Sequence, residues 1–212
     1  MSFVTRPIVS RRVRLSRPDQ TDLFGESAAA PEGFIYREEI ITDTEEAALI
    51  AELKRLPFKP FEFQGYLGKR RIVSFGWKYD FDHKALHGSN PIPAFLVPLR
   101  ATAAAFAGIM PEDLQQILIN EYEASAGVGW HRDKGMFQDV VGISFSSPAT
   151  FRFRRERGEA WERNSRVLQP RSAYLMRGPS RWEWQHSVAP VHELRYSVTF
   201  RNFTAGHQSA RG

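Results

Sequence analysis

The spacing of apolar residues along the chain changes from a helical period to a strand period. Residues 33–41 predict a first strand, and residues 42–56 carry apolar side chains at helical spacing. A second helix of about fifteen residues is predicted to begin after Pro91 and to end near Gly108. In the second half the period is two, which predicts strands at 115–123, 139–146, 150–155, 172–177, 184–189 and 193–203. Helices followed by many short antiparallel strands are typical of an α+β protein with a β-sandwich or jelly-roll core.

The two ends of the chain lack this periodicity. Residues 1–32 are basic and rich in Pro, Ser and Ala. The clustered arginines of this segment are Arg11, Arg12, Arg14 and Arg17. This composition predicts a flexible arm, which is either a solvated tail or an arm that touches phosphates. The 212-residue chain has room for one sizeable core. We therefore expect a single domain at residues 33–205, followed by a short tail at 206–212.

Composition excludes several classes of chemistry. The chain has no cysteine, so metal chemistry must use histidine and carboxylate side chains. No apolar run approaches the length of a membrane span, and residues 1–27 lack the apolar core of a secretory signal. We expect a monomer without a membrane partner, in the cytoplasm or, alternatively, in the nucleoid or a eukaryotic nucleus. The net charge of +5 and the pI near 9.7 permit a polyanionic partner without demonstrating one.

Residues 61–81 have a different residue pattern, in which aromatic side chains alternate with basic ones between glycines that mark turns. This pattern predicts two or three short strands. One interpretation is a half-buried β-meander whose aromatic side chains simply pack. The other is a surface on which bases stack while Lys and Arg hold phosphates. The candidate substrate contacts are Lys69, Arg70, Arg71, Trp77 and Tyr79.

Two histidines and one aspartate form a candidate metal-ligand set. His131 and Asp133 lie two residues apart, which would place both on one face of a strand, and His186 lies far downstream. Two imidazoles and one carboxylate on one face of an octahedron leave three positions open. This is the ligand pattern of non-haem iron(II) oxygenases. A His-x-Asp pair alone is frequent by chance, and His186 strengthens the signal.

The last predicted strand carries two arginines on one face. Period two places Arg195, Ser197 and Arg201 together there, while the opposite face is apolar. Each arginine alone could form a surface ion pair, but two inward arginines need an anion, because a buried unpaired charge is costly. Guanidinium matches a carboxylate with two parallel hydrogen bonds. Asn120 and Tyr122 likewise share one strand face. A metal with open positions beside such arginines suggests a bidentate oxo-acid cosubstrate.

The order and spacing of these motifs resemble the AlkB family of 2-oxoglutarate- and iron(II)-dependent dioxygenases, over roughly residues 33–203. The motifs are Asn120-x-Tyr122, His131-x-Asp133, His186 and Arg195-x5-Arg201. The resemblance implies a double-stranded β-helix with N-terminal helices packed on one sheet, and a β-rich lid at residues 61–81 that grips the nucleotide. It implies that the iron ligands are His131, Asp133 and His186. It places Arg195 and Tyr122 at the distal carboxylate of 2-oxoglutarate, and Asn120 and Arg201 at the end nearer the metal.

Two positions depart from the family pattern. The family often has Asn where this chain has Ser197, which can still donate one hydrogen bond and is kept as a cosubstrate contact. Gly135 and Met136 stand where the best-known member has an acidic residue facing the substrate, so the base preference is open. The resemblance implies oxidative dealkylation of N-alkylated bases in methylated DNA or RNA, with dioxygen consumed and formaldehyde and succinate released. The alternatives are the same chemistry on methylated protein or a small molecule, and a non-catalytic nucleic-acid-binding module.

Overall fold

The computed structural model describes residues 30–63, 66–80, 85–88 and 90–208. The strands are β1 (Phe34–Arg37), β2 (Lys59–Phe63), β3 (Tyr66–Phe75), β4 (Trp77–Asp80), β5 (Ala85–Gly88), β6 (Gln116–Tyr122), β7 (Val128–His131), β8 (Phe137–Phe145), β9 (Ala149–Arg157), β10 (Ala160–Leu168), β11 (Ala173–Met176), β12 (Gln185–Val188) and β13 (Arg195–Phe203). The helices are α1 (Asp43–Leu53), α2 (Val97–Ala107), α3 (Pro179–Trp182) and α4 (Ala205–Gln208), with 3-10 turns at Ala94–Leu96 and Pro111–Asp113. Within the described residues, no helix has the length and apolar character needed to cross a membrane.

Two antiparallel sheets form the body of the fold. The larger sheet has the strand order β1-β11-β8-β13-β6-β3-β2, and the smaller has the order β10-β9-β12-β7. β4 and β5 pair separately as a two-stranded sheet. Side chains from both main sheets meet in one apolar cluster, so the sheets face each other as the halves of a jelly roll. The predicted α+β class with a jelly-roll core is confirmed.

The two longer helices cover the outer face of the larger sheet. α1 begins at a capping box, in which the side chains of Thr42 and Glu45 each bond the other residue's backbone N–H. α2 ends at Gly108, whose φ of +67° is the left-handed conformation that commonly terminates a helix. Leu53 of α1 and Ala103 of α2 belong to the buried cluster formed with β6, β8 and β13. This arrangement confirms the expected packing of helices on one sheet.

A second buried cluster fills the space between the two sheets. Phe151 and Phe153 of β9 pack edge to face with ring centroids 4.9 Å apart, and Tyr174 of β11 stacks on Phe151 at 4.8 Å. Tyr174 lies against Gly142 of β8, where a Cβ would come within 2.3 Å of the phenol ring. Glycine at this position therefore lets an aromatic ring lie directly on the inner face of the larger sheet.

The sequence pattern located most of these elements and missed β5, the short helices α3 and α4, and two strands of the smaller sheet. β7 was not predicted, because it is short and lies in a glycine-rich passage. β10 was not predicted, because it is polar and mostly exposed and so shows little alternation. The described residues within 61–81 lie on β2, β3 and β4 or in the bend between β3 and β4, and β2 and β3 extend the larger sheet. Most of the predicted arm, residues 1–29, and the end of the predicted tail, residues 209–212, lie outside the described part of the chain.

Candidate active site

His131 and His186 lie directly opposite each other on the neighbouring strands β7 and β12. Residues paired in this way point to the same side of an antiparallel sheet, and His186 is buried between the sheets. The centroids of the two imidazole rings are 4.2 Å apart. Nδ1 of His131 lies 2.9 Å from the carbonyl oxygen of Gly129. A hydrogen bond there assigns the ring proton to Nδ1 and leaves Nε2 as the atom available to a metal.

Asp133 follows β7 and brings a buried carboxylate to the two histidines. Its Oδ1 accepts a 2.9 Å hydrogen bond from Nη2 of Arg201. Its Oδ2 lies 3.7 Å from Nε2 of His186 and has no hydrogen-bond partner among the described residues. Burial opposes ionisation of this carboxyl, but the charge of Arg201 and the nearby histidines outweigh it and hold the pKa of Asp133 below its usual range. Asp133 is therefore an anion at neutral pH with one oxygen available to a cation.

The donor chemistry of these three side chains suits a divalent metal such as iron(II). Burial, reinforced by His131, lowers the pKa of His186 to about 3, so its imidazole is neutral and able to bind a metal. Ligand atoms at right angles around a metal lie about 3 Å apart when each bond is near 2.1 Å. The 3.7 Å between Asp133 and His186 is wider. Accordingly, no three His, Asp or Glu side chains in the described ranges are spaced closely enough to enclose an ion as they stand. Metal binding requires an adjustment of these side chains.

Arg195 is almost completely buried on the inner face of β13, with 1% of its surface exposed. Its Nη2 donates a 2.7 Å hydrogen bond to Oγ of Ser144, and its guanidinium carbon lies 5.0 Å from the ring centre of Tyr122. Nε and Nη1 have no hydrogen-bond partner within the described part of the chain. A buried guanidinium with these two donors available is suited to a carboxylate ligand.

The remaining predicted cosubstrate residues line the same inner face. In the register of β6 and β13, Tyr122 is opposite Arg195 and Asn120 is opposite Ser197, with 3.4 Å between Nδ2 of Asn120 and Oγ of Ser197. Arg201, which binds Asp133, also donates a 2.8 Å hydrogen bond from Nη1 to Gln116. The structure thus brings the predicted metal ligands and the predicted cosubstrate residues into one pocket between the sheets.

Two residues that make supporting contacts in this pocket were given no role by sequence reasoning. Gln116 shares the inner face of β6 with Asn120, so the alternation of that strand contained the signal for it. Ser144 lies on β8, and no local pattern in the sequence shows that β8 pairs with β13 beside Arg195.

The three neighbouring cations expected to hold phosphate do not share a surface. Arg70 points into the pocket, where its Nε donates a 3.2 Å hydrogen bond to Oδ1 of Asn120 and its guanidinium lies 3.8 Å from the ring centre of Phe61. Arg71 points the other way and forms a salt bridge with the buried Glu121. Lys69 is exposed. Because β3 is a regular strand, alternation separates Arg70 from its two neighbours, and the expectation of one phosphate-binding group is corrected accordingly.

The two aromatic candidates of the lid lie on β4. The ring of Trp77 packs edge to face on Phe203 with centroids 6.1 Å apart, and Phe203 is buried at the end of β13. The side chain of Tyr79 lies outside the described residues. Trp77 therefore has a packing role in the structure, and its contact with a base stays a prediction.

Comparison with known families identifies the superfamily. The family model of the 2OG-Fe(II) oxygenase superfamily matches residues 35–201, a range that contains all three candidate metal ligands and all five candidate cosubstrate residues. The chain belongs to this superfamily, which implies iron(II) as the metal and 2-oxoglutarate as the cosubstrate.

Its relatives are AlkB-like, which confirms the resemblance drawn from the motifs. The Mus musculus protein named tRNA (carboxymethyluridine(34)-5-O)-methyltransferase ALKBH8 is 27% identical over 169 residues, or 76% of this chain and 25% of that protein. The Arabidopsis thaliana Alkylated DNA repair protein ALKBH8 homolog is 24% identical over 152 residues, or 60% of this chain and 44% of that protein. The chain therefore spans about a quarter of the first of these curated relatives and under half of the second. A solved structure of OsALKBH1 shares the fold, with a TM-score of 0.67, 16% identity and coverage of 82% of this chain and 97% of that chain.

Proposed function

We propose that the protein catalyses oxidative dealkylation of N-alkylated bases in DNA or RNA. Membership of the superfamily supplies the class of reaction. The observation that carries the assignment of the site is the buried Arg195, two of whose donors have no partner among the described residues, in the pocket that also holds His131, Asp133 and His186. Two relatives named for tRNA modification and for alkylated-DNA repair support nucleic acid as the substrate.

In this proposal His131, Asp133 and His186 hold iron(II). Arg201 binds Oδ1 of Asp133, so the carboxylate offers a single oxygen, and Gly129 holds the tautomer of His131 that exposes Nε2. Bound iron(II), with 2-oxoglutarate and dioxygen as cosubstrates, would supply the oxidation: one oxygen atom would go to the N-methyl carbon and the other to succinate, with release of carbon dioxide. The hydroxymethyl product then loses formaldehyde and leaves the free base nitrogen.

The cosubstrate would lie along the inner faces of β6 and β13. Arg195 and Tyr122 would bind the distal carboxylate of 2-oxoglutarate, with Ser144 orienting the guanidinium. At the other end, Arg201 and Asn120 would contact the oxo-acid group, with Ser197 beside Asn120. The guanidinium groups of the pocket exceed its single carboxylate, and this surplus favours a dianionic ligand.

A methylated base inside a duplex cannot reach a pocket between two sheets, so it must leave the base stack to react. Arg70 would orient Asn120 on the wall that β3 contributes, because its hydrogen bond reaches that amide directly. Trp77 and Tyr79 remain the candidates for stacking on the extruded base, and Lys69 is an exposed cation on β3.

The test is a screen of oligonucleotides that carry single N-methylated bases, as DNA and as RNA and in single-stranded and duplex form. Mass spectrometry would measure loss of the methyl group, and succinate would be quantified in the same samples. We expect stoichiometric demethylation and succinate formation on at least one oligonucleotide, and neither with the Asp133→Ala variant.

Succinate formation that is stimulated by a methylated peptide, and by none of the oligonucleotides, would refute the nucleic-acid substrate and favour the protein alternative. Wild-type protein that is loaded with iron(II) and forms no succinate with any substrate would refute the catalytic proposal.

A further inference from the structure

The outer face of the smaller sheet carries a band of tryptophan and arginine side chains. The guanidinium carbon of Arg154 lies 4.5 Å from the ring centre of Trp130 and 4.4 Å from that of Trp161. The guanidinium carbon of Arg152 lies 5.2 Å from the ring centre of Trp130. Both arginines alternate with the buried Phe153 along β9, so they point away from the core. The Trp–Arg band is the set of Trp130, Arg152, Arg154 and Trp161.

Neutral side chains hold the two arginines in place. Nε of Arg154 donates a 2.7 Å hydrogen bond to Gln185, and Nε of Arg152 donates a 3.0 Å hydrogen bond to Oγ of Ser187. Neither arginine pairs with a carboxylate among residues 30–63, 66–80, 85–88 and 90–208. The band is therefore oriented by the protein but not neutralised by it.

The neighbouring Arg155 shows that β9 pairs with acidic side chains on its other side. Arg155, which faces the other side of β9, is paired with Glu162 at 2.8 Å and with Glu183 at 2.7 Å. Arg154 instead lies directly opposite Arg163 of β10. Like charges opposite each other destabilise a sheet. The charge of Arg154 therefore lowers the stability of the sheet and has no carboxylate partner in the described protein. Such a charge favours binding of a polyanion from outside the protein.

We infer that the Trp–Arg band binds the single strand of nucleic acid next to the target nucleotide. Residues two apart on a strand are separated by about 6.6–6.8 Å, which is comparable to the spacing of successive phosphates along an extended single strand. Guanidinium groups bind phosphates, and exposed ring faces stack bases without regard to sequence. This inference rests on the proposed function, because it extends the path of the same substrate.

The position of the band connects it to the pocket. Trp130 precedes His131 on β7, which is an edge strand of the smaller sheet, and the two side chains point to opposite faces. A nucleic-acid strand that passes over this edge can therefore keep phosphates on the band while one base enters between the sheets. A groove of about 560 Å³ adjoins the band at Trp161 and Gln185 and extends to Arg132. Glu156 and Glu183 also line this groove.

Binding of a fluorescein-labelled, unmethylated single-stranded oligonucleotide would test the inference, with DNA and RNA of the same sequence measured over a salt series. Each phosphate contact to a single strand contributes about 0.7 to the slope of log affinity against log salt. We expect Arg154→Gln and Arg152→Gln each to lower this slope by about 0.7. We expect Trp161→Leu to lower the affinity roughly tenfold and to leave the slope unchanged, because it removes stacking and no charge.

Arg166→Gln is the matched control. Arg166 is an exposed arginine of β10, and it stacks on Tyr36 at 4.4 Å on the opposite side of the sheet. The substitution removes the same charge and a similar aromatic contact, and we expect the affinity and the slope to match those of the wild type.

The outcomes separate this inference from the proposed function. If the wild type binds the oligonucleotide and both band variants match Arg166→Gln, the band has a structural role only and the inference is overturned, while the proposed function stands. If the wild-type protein neither binds nor demethylates any oligonucleotide, both the inference about the band and the proposed function are refuted. Equal loss of poly-L-glutamate binding in the band variants would assign the band to acidic protein instead. If Arg154→Gln lowers the melting temperature, the result for Arg152→Gln decides between the two roles of the band. Within the described part of the chain, Arg152 has one hydrogen bond, to Ser187, and one cation–π contact, with Trp130.

Discussion

Replacing Arg195 by methionine tests the cosubstrate site most directly, because the charge of this side chain is buried without an anionic partner in the described protein. Methionine keeps much of the side-chain volume and removes the guanidinium. Nε and Nη1 lack hydrogen-bond partners among the described residues, and each buried unsatisfied donor costs about 1–3 kcal/mol. Loss of the single Nη2 hydrogen bond to Ser144 costs about 0.5–1.5 kcal/mol. Without 2-oxoglutarate, the Arg195→Met variant is therefore expected to be at least as stable as the wild type.

With 2-oxoglutarate the expected effect has the opposite sign. Removing one partner of a buried charge pair costs about 2–5 kcal/mol, which corresponds to a loss of affinity of roughly 30- to 4000-fold. Calorimetric titration of the iron(II) protein in the absence of dioxygen would measure this loss. At a cosubstrate concentration of about 100 times the wild-type Kd, the wild type gains about 2.7 kcal/mol of stability from binding. The variant is expected to gain little.

Arg177→Met is the control for removal of an arginine outside the pocket. Arg177 forms a 2.7 Å salt bridge with Asp139, so its loss leaves a carboxylate unpaired and is expected to lower stability without changing the affinity for 2-oxoglutarate. Unchanged affinity in Arg195→Met would refute the assignment of the distal carboxylate to Arg195. A fall in its melting temperature without ligand would refute the argument that its donors are unsatisfied.

Three further outcomes are expected. Asp133→Ala should abolish iron(II) binding, measured by metal analysis after desalting, while the circular dichroism spectrum is retained; undiminished succinate formation would rule out the ligand set. The pKa of His186 is about 3 in the folded protein, below its ordinary value of 6.5. As the pH falls, the unfolded chain therefore binds a proton at this histidine before the folded protein does. The free energy of unfolding of the metal-free protein should decrease between about pH 6.5 and pH 3, by up to about 1.4 kcal/mol per pH unit. Denaturant titrations at several pH values would measure this, and a His186→Asn variant with the same pH slope would contradict it. Trp77→Ala should lower the melting temperature by loosening its contact with Phe203 and depress coupled and uncoupled turnover together; selective loss of dealkylation would instead show that Trp77 contacts the base.

The sequence by itself determined which residues of the site share a strand face. The alternation along residues 195–201 predicts that Arg195, Ser197 and Arg201 point together, and the structure has all three on the inner face of β13. The reason is local: successive side chains of a strand point to opposite sides, whatever the strand pairs with. The family resemblance was likewise readable from the sequence, because it depends on residue types and their order along the chain.

Only the tertiary structure decided which faces meet. The pairing of His131 with His186, the hydrogen bond from Arg195 to Ser144 and the inward position of Arg70 each join strands that are distant in sequence. A shift of one residue in register would turn every side chain of a strand to the other face, so these contacts depend on non-local pairing that no local pattern contains. The Trp–Arg band also depends on non-local strand pairing. β7 and β10 carry weak strand signals, and only the pairing within the smaller sheet brings them beside β12 and β9.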